Sequence, residues 1–150
     1  MVDDAEWLAA LLANLLPKHS EVAGLLALIR LHRARGAARF DTEGRLVLLA
    51  DQNRSLWNRR AIVEATGALM GAARAHRRPG PYQLQAAIVA CHAETETFAD
   101  TDWAQMLVLY DMLLYLTPSP VTRLHRAIAL RHVQGPEAAL AELDQQTEPP

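Results

Sequence analysis

The sequence predicts an all-α fold of about seven helices that pair as antiparallel hairpins. Apolar residues recur at three- and four-residue spacing through most of the chain, which is the period of a helix buried on one side. Proline and glycine interrupt these runs at short intervals, so the connecting turns should be tight. The helical period breaks once, and there we expect one short extended segment near residues 45–49.

The first two helices are predicted from their apolar stripes. The first begins after Asp3 and Asp4 and ends at Pro17. Its stripe consists of Trp7, Leu8, Leu11, Leu12 and Leu15. The second helix runs to Gly36, because glycine readily closes a helix. Its stripe consists of Val22, Leu25, Leu26 and Ile29.

The middle of the chain should hold the extended segment and two further helices. A turn at residues 41–44 precedes the apolar run at residues 46–49, which is too short for a helix of its own. The third helix is predicted from about residue 55 to residue 75. Pro81 suits the first position of the fourth helix, where the N–H that proline lacks would be unsatisfied anyway. The buried side of this helix should consist of Leu84, Ala87, Ile88 and Cys91.

Three more helices are predicted in the C-terminal part. Asp100 or Thr101 should cap the fifth, which has little polar face and is therefore expected to be central. Ser119, followed by a proline, opens the sixth, and Gly135 separates it from the seventh. The last pair has a tetratricopeptide-like pattern of small residues.

Composition predicts a single cytoplasmic domain. A chain of 150 residues with 51% hydrophobic content should bury about 70% of its unfolded surface, so we expect one domain over residues 1–146 and a frayed tail at 147–150. The net charge of -2 disfavours bulk binding to nucleic acid. The single cysteine, Cys91, fits a reducing compartment, and no apolar run is long enough to cross a membrane.

Catalytic motifs are absent from the sequence. We find no glycine-rich phosphate loop and no metal-binding helix of the His-Glu-x-x-His type, so we expect no enzyme, no cofactor and no metal. A hydrolase with paired carboxylates stays open as a minor alternative, although helix capping already explains the aspartates. Its acidic cluster would consist of Glu94, Glu96, Asp100 and Asp102.

The loop before the third helix holds a dense group of hydrogen-bonding side chains. Asp51 can accept backbone N–H bonds, and Arg54 can bind a carboxylate with both arms of its guanidinium. Asn53 or Ser55 can cap the third helix, while Trp57 anchors its first turn. These side chains either tie the loop to neighbouring helices or contact a partner. The predicted partner-binding residues of the loop are Asp51, Gln52, Arg54, Ser55 and Trp57.

A polar face is predicted on the fourth helix. A rotation of about 100° per residue groups Tyr82, Gln85, Val89, His92 and Glu96 opposite the buried stripe. With the fifth helix this face could line a groove, so Tyr82, Gln85, His92 and Trp103 join the predicted partner-binding residues. His92 could be structural or solvated, could contact a peptide or ligand, or could form a weak metal pair with Glu96 that lacks further ligands.

The loop reads Asp-Gln-Asn-Arg-Ser-Leu-Trp-Asn over residues 51–58. It resembles the signature Asp-Gln-Asp-Arg-Ser-Arg-Trp-Asp in the C-terminal extension of one group of extracytoplasmic-function RNA polymerase sigma factors of the sigma-70 family. Further segments that resemble this family, in its order, are residues 21–28, 80–88, 101–103 and 119–121. The sequence departs from the family pattern at Asn53, Leu56, Asn58 and His125.

The resemblance implies a tetratricopeptide-like helical domain that regulates the sigma factor to which it is attached. The sigma regions that bind the promoter and the polymerase core are not visible here, so we expect the C-terminal part of a longer protein. The implied partners are the sigma core of the same protein, RNA polymerase or both, with DNA contacted only through the absent regions and no membrane. The alternative is a domain that senses a small molecule in an apolar pocket and controls the same sigma factor.

Overall fold

The structure is a computed structural model that describes residues 1–75 and 78–147. Over these residues the chain forms seven α-helices and no strand, which confirms the predicted all-α class. The helices are α1 (Val2–Leu15), α2 (Ser20–Ala34), α3 (Arg59–Ala75), α4 (Pro81–Ala93), α5 (Trp103–Leu116), α6 (Pro120–Gln134) and α7 (Pro136–Thr147). Single 3-10 turns lie at Gly36–Ala38, Leu49–Asp51, Arg54–Leu56 and Phe98–Asp100.

The chain divides into two compact units, Met1–Thr101 and Asp102–Pro150. In the first unit α2 packs against α1, α3 and α4. In the second unit α6 packs against both α5 and α7, as consecutive hairpins require. The single domain over residues 1–146 and the tetratricopeptide-like character stay predictions. Residues 148–150 of the predicted tail lie outside the described residues.

Close contact between α2 and α4 fixes the position of α4. A Cβ atom on Gly24 would lie 2.7 Å from the backbone nitrogen of Gln83, so only glycine allows this approach. The Glu21 carboxylate of α2 accepts the backbone N–H groups of Tyr82 and Gln83, each at 3.0 Å. These N–H groups have no partner within α4, because they belong to its first turn. The start of α4 is therefore held by α2.

Proline marks two helix starts where the sequence predicted them. Pro81 and Pro120 are the first residues of α4 and α6, and the Ser119 hydroxyl accepts the backbone N–H of Thr122 at 3.4 Å. The predicted cap of the fifth helix is wrong. Asp102 takes this role because its carboxylate accepts the Gln105 N–H at 3.0 Å. Asp100 ends a 3-10 turn instead.

The boundaries of the second and third helices also differ from the prediction. The second helix ends at Ala34 rather than Gly36. The third begins at Arg59 rather than near residue 55, because the Asn58 side chain accepts the Ala61 N–H at 3.1 Å and so caps the helix there. The Asn58 N–H in turn donates to the Ala34 carbonyl at 2.8 Å, which joins the two helix ends.

The predicted extended segment is confirmed around one residue pair. Phe40 and Leu46 form an isolated antiparallel bridge, and the Asp41 carboxylate between them accepts the backbone N–H groups of Glu43 and Arg45, each at 2.9 Å. Leu49 already lies in a 3-10 turn, so the extended run stops before it.

Two helices expose much of their apolar surface. In α1 only Ala9 is buried, while Trp7 is 65% and Leu15 is 68% exposed. In α5, Val108 is 58% and Tyr115 is 88% exposed. The expectation that the fifth helix is central is therefore wrong for the side that carries Val108 and Tyr115. Apolar residues surround α5, whereas its neighbour α6 covers only part of that surface.

Candidate functional site

The loop that precedes α3 consists of two 3-10 turns, Leu49–Asp51 and Arg54–Leu56. Asn53 caps the second turn, because its side-chain oxygen accepts the Ser55 N–H at 3.1 Å and the Ser55 hydroxyl at 2.6 Å. Asn53 therefore caps this turn, whereas Asn58 caps the helix. Short turns fixed by side-chain caps give the loop a defined backbone.

Arg54 joins this loop to the C-terminal end of α4. Its Nη1 atom donates to the carbonyl oxygens of His92 at 2.7 Å and Thr95 at 2.8 Å, and to the Thr95 hydroxyl at 3.1 Å. These carbonyls belong to the helix end, where acceptors have no partner within the helix. Arg54 thus binds backbone carbonyls, and the expectation that it binds a carboxylate finds no such partner among the residues described.

A second arginine binds the same helix end. Arg59, at the start of α3, donates from Nη1 to the Ala93 carbonyl at 3.0 Å and from Nη2 to the Thr95 carbonyl at 3.4 Å. Positive charge at a helix C-terminus is favourable because the carbonyl dipoles point toward it. Arg54 and Arg59 together hold the loop, α3 and α4 in one arrangement.

Trp57 lies beneath these contacts and is only 4% exposed. It belongs to the core of the first unit together with Leu31, Ile62 and Leu69. The Arg54 guanidinium carbon lies 4.4 Å from the centroid of the Trp57 ring, close enough for a cation–π contact. Trp57 thus fixes the loop through burial, and it does so before the first turn of α3 rather than within it.

Arg35, which follows α2, completes the group. Its guanidinium carbon lies 5.4 Å from the Trp57 centroid. We call Arg35, Arg54 and Trp57 the arginine-tryptophan cluster. Burial lowers the pKa of Arg35, and the charges of Arg54 and Arg39 lower it further. The cations in this region therefore repel one another.

The other loop residues are divided between the inside and the surface. Gln52 is half-buried and donates from Nε2 to the Val47 carbonyl at 3.2 Å. Asp51 and Ser55 are exposed, as is Leu56 at 52%. Of the predicted partner-binding residues of the loop, Arg54 and Trp57 fix the loop from within, and Gln52 is half-buried. Asp51 and Ser55 face outward.

The polar face predicted on α4 is wrong. His92 is 8% exposed, Gln85 is half-buried and Tyr82 is 44% exposed, so these residues do not share one solvent-facing side. Buried residues occur on all sides of α4, which removes the expected division into a polar and an apolar face. Trp103 belongs to the second unit, where its ring stacks on His132 at 3.8 Å between centroids.

His92 has a structural environment. Its Nδ1 atom lies 3.3 Å from the Thr101 hydroxyl, and its ring lies parallel to Phe98 at 6.0 Å between centroids. Glu96 lies beyond the end of α4 at Ala93, so it does not share a helix face with His92. Within residues 1–75 and 78–147, no group of three or more His, Cys, Asp or Glu side chains is arranged to hold a metal ion.

Sequence reasoning missed Arg35, Arg59 and Thr95 as parts of the site. Arg35 lies directly after α2 and belongs to no sequence motif. No sequence pattern places it against Trp57, because the two residues are brought together by the end of α2. The acceptors for Arg54 and Arg59 are mostly backbone carbonyls, which every residue carries.

Two surface cavities lie away from these residues. One, of about 340 Å³, lies in the first unit and is lined by Pro17, Lys18, His19, Ser20, Ala23, Ala72 and Ala75. The other, of about 320 Å³, lies in the second unit and is lined by Leu114, Arg123, Arg126, Glu142, Gln145 and Gln146. Neither is lined by a predicted partner-binding residue. No helix in the described part of the chain is both long and apolar enough to cross a membrane.

Comparison with known proteins relates the loop to uncharacterised sequences. Residues 1–73 match a family of unknown function (DUF6596). An uncharacterized protein of Rhizobium meliloti (strain 1021) is 49% identical over 144 residues, which cover 96% of this chain and 34% of that protein. The chain therefore spans about a third of the length of this curated relative. No solved structure matches the chain. The whole loop and α2 lie within the residues that match the family.

Proposed function

We propose that the chain is a regulatory protein-interaction domain of a bacterial RNA polymerase sigma factor, which modulates transcription initiation by the attached sigma core. The observation that carries the proposal is the loop at residues 51–58, whose sequence resembles the signature of such extensions. In the structure the loop is fixed from within by Arg54 and Trp57 and exposes Asp51, Ser55 and Leu56.

A loop fixed in this way is suited to binding. Association costs free energy when loops and side chains must be ordered on contact. Here Asn53, Arg54 and Trp57 order the backbone before any partner arrives. The exposed outer residues Asp51, Ser55 and Leu56 offer a carboxylate, a hydroxyl and an apolar side chain to a partner.

The length of the relative supports a role within a larger protein. The Rhizobium meliloti protein is about three times as long as the matched region, since that region covers 34% of it. A domain attached to its partner binds at an effective concentration set by the linker, in the millimolar range for short linkers. A moderate intrinsic affinity for the sigma core would therefore be sufficient for regulation.

Calorimetry tests this proposal. The chain is mixed with the sigma core regions of the longer protein, supplied as a separate polypeptide. We expect binding that is weakened by Asp51→Ala and Leu56→Ala on the outer side of the loop, whereas Val63→Ala, at an exposed position of α3, leaves it unchanged. Absence of binding to the core regions and to polymerase would contradict the proposal.

One observation favours the small-molecule alternative. The cavity beside the α1–α2 turn has a volume of about 340 Å³, within the range of ligand sites. It is lined by Ala23, Ala72 and Ala75 together with the polar residues Lys18 and Ser20. A thermal-shift screen against metabolites tests the small-molecule alternative. A metabolite that raises the melting temperature of the chain but not that of Ala72→Trp, which fills the cavity, would favour ligand sensing over protein contact.

A further inference from the structure

Buried polar atoms without partners are concentrated in the arginine-tryptophan cluster and in the loop that contains Trp57. Among the described residues, five buried side-chain nitrogen and oxygen atoms have no hydrogen-bond partner. Four of them are Arg35 Nε, Gln52 Oε1, Arg54 Nη2 and Trp57 Nε1. Buried polar groups are nearly always hydrogen-bonded in folded proteins, so such a concentration points to a function.

Three of these four atoms are N–H donors, and no carboxylate of the described residues accepts a hydrogen bond from them. In the part of the chain that the structure describes, no ion pair includes Arg35, Arg39, Arg54 or Arg59. Asp100 acts on Arg54 only from beyond ion-pair distance, as one of the weaker influences on its pKa. Other arginines of the chain do have carboxylate partners, for example Arg126 with Asp111 and Glu142. The region around Trp57 thus has an excess of donors and positive charge.

We infer that the arginine-tryptophan cluster is a receptor for carboxylates of an acidic segment on the protein partner. The inference deepens the proposed function and rests on it. A guanidinium binds a carboxylate through two parallel N–H···O bonds, a geometry that few other pairs provide. A partner carboxylate would pair with Arg35, the half-buried arginine of the cluster, and would reduce the repulsion among its cations.

The number of donors favours a segment over a single anion. One carboxylate has two oxygens, whereas two guanidiniums, those of Arg35 and the exposed Arg39, lie at the open side of the cluster without a carboxylate partner among the described residues. Neighbouring carboxylates on one segment can serve both groups. Arg39 is exposed and Arg35 is half-buried, so an approaching segment meets them first. The covered Nε edge of Arg35 then has to turn toward the carboxylate, which changes its stacking on Trp57.

The test uses tetraglutamate as the probe, followed by NMR on the indole N–H of Trp57 and the Nε–H of Arg35 at constant ionic strength. The chain has three tryptophans, and Trp57→Phe assigns the indole signal. Sodium acetate and inorganic phosphate are titrated in parallel. We expect tetraglutamate to shift both signals and to bind more tightly than acetate or phosphate.

Two variants and a matched control define the site. Arg35→Gln should weaken tetraglutamate about tenfold, the loss expected for a charged hydrogen bond. Arg39→Gln changes an exposed side chain and should also weaken the probe without unfolding the chain. Arg123→Gln removes an exposed arginine of the second unit and should have no effect. Melting temperatures confirm that each variant is folded.

Two outcomes of the titrations would overturn the inference. Phosphate that binds at least as tightly as tetraglutamate would make the cluster a site for small anions. Absence of any shift would mean that the cluster does not bind carboxylates. If only the proposed function is wrong, the chain will bind tetraglutamate but not the sigma core. Conversely, a core that binds Arg35→Gln as tightly as the unchanged chain would remove the inference and leave the proposed function.

Discussion

Two groups of arginines in the first unit both hold neighbouring elements together, one through ion pairs and the other through hydrogen bonds to backbone carbonyls. Arg30 and Arg33 of α2 hold α1 through ion pairs, both with Glu6 and one also with Asp3. Arg54 and Arg59 hold the loop and α4 through backbone carbonyls, with no carboxylate partner among the described residues. Carboxylates neutralise the positive charges of the first group, whereas no carboxylate among the described residues pairs with the second.

The ion pairs and the carbonyl contacts should respond differently to solvent and salt. The ion pairs involve arginine side chains that are 42% and 51% exposed, so solvent and salt screen them and each contributes little. The carbonyl contacts are part-buried and satisfy acceptors that the helix end leaves open. Removing an arginine from the second group therefore takes hydrogen bonds away from carbonyls at a helix end, while removing one from the first leaves carboxylates that water can solvate.

The largest expected effect comes from Trp57, on which the second group rests. Trp57→Ala removes a side chain that is 4% exposed and stacked under two guanidiniums. We expect a loss of about 3–5 kcal/mol in the free energy of unfolding, as for other buried aromatic residues. Urea unfolding followed by circular dichroism measures it. A loss under about 1 kcal/mol would mean that Trp57 does not anchor the loop.

Arg54→Ala should come next. It removes hydrogen bonds to the His92 and Thr95 carbonyls, which keep only a bond from the Thr95 hydroxyl at 3.1 Å and a long one from Arg59 at 3.4 Å. We expect a loss of about 2 kcal/mol, the range for hydrogen bonds to charged groups. Arg54→Lys should restore less than half of it, because an ammonium lacks the planar fork of a guanidinium. Full restoration by lysine would show that charge alone matters here.

Arg33→Ala should have a smaller effect. Arg33 is 51% exposed at its side chain and bonds Glu6 and Asp3 at the surface. We expect a smaller loss in the free energy of unfolding than for Arg54→Ala, and one that disappears in high salt. The comparison with Arg54→Ala, whose loss should persist in high salt, separates the two groups. Equal salt dependence of the two variants would contradict the distinction.

The smallest expected effect is a local response to acid. The hydrogen bond from Arg33 is the main cause that lowers the pKa of Glu6. A carboxyl with a lower pKa in the folded state stabilises the fold above its unfolded pKa of about 4.3, and this stabilisation is lost as pH falls through its folded pKa. Hydrogen exchange should then increase in α1 before it increases in the loop, and Glu6→Gln should remove the difference. Simultaneous loss of protection in both would contradict this order.

The sequence predicts the elements whose signals are local. The starts of α4 and α6 follow from Pro81 and Pro120, because a proline at the first helical position acts through its own ring and its missing N–H. The start of α3 was predicted too early, since Asn53 and Asn58 are both suitable caps and only the position of Trp57 in the core decides between them. Such a choice depends on contacts distant in sequence.

The candidate site was predictable only in part. The loop residues could be named because their side chains are unusual in a helical sequence. Arg35 could not, because its contact with Trp57 depends on where α2 ends. The face assigned to α4 failed for a related reason, since a helix with small residues on many sides can be buried all round, which leaves His92 inside.

We propose that carboxylates of a sigma core pair with the arginines around Trp57, which have no carboxylate partner among the described residues. Calorimetry of the chain with the sigma core regions tests it most directly, with Arg35→Gln compared with Arg123→Gln as the matched loss of one charge. We predict that Arg35→Gln weakens binding about tenfold and that Arg123→Gln leaves it unchanged. Equal affinities for the two variants, or no binding of the unchanged chain, would contradict the claim.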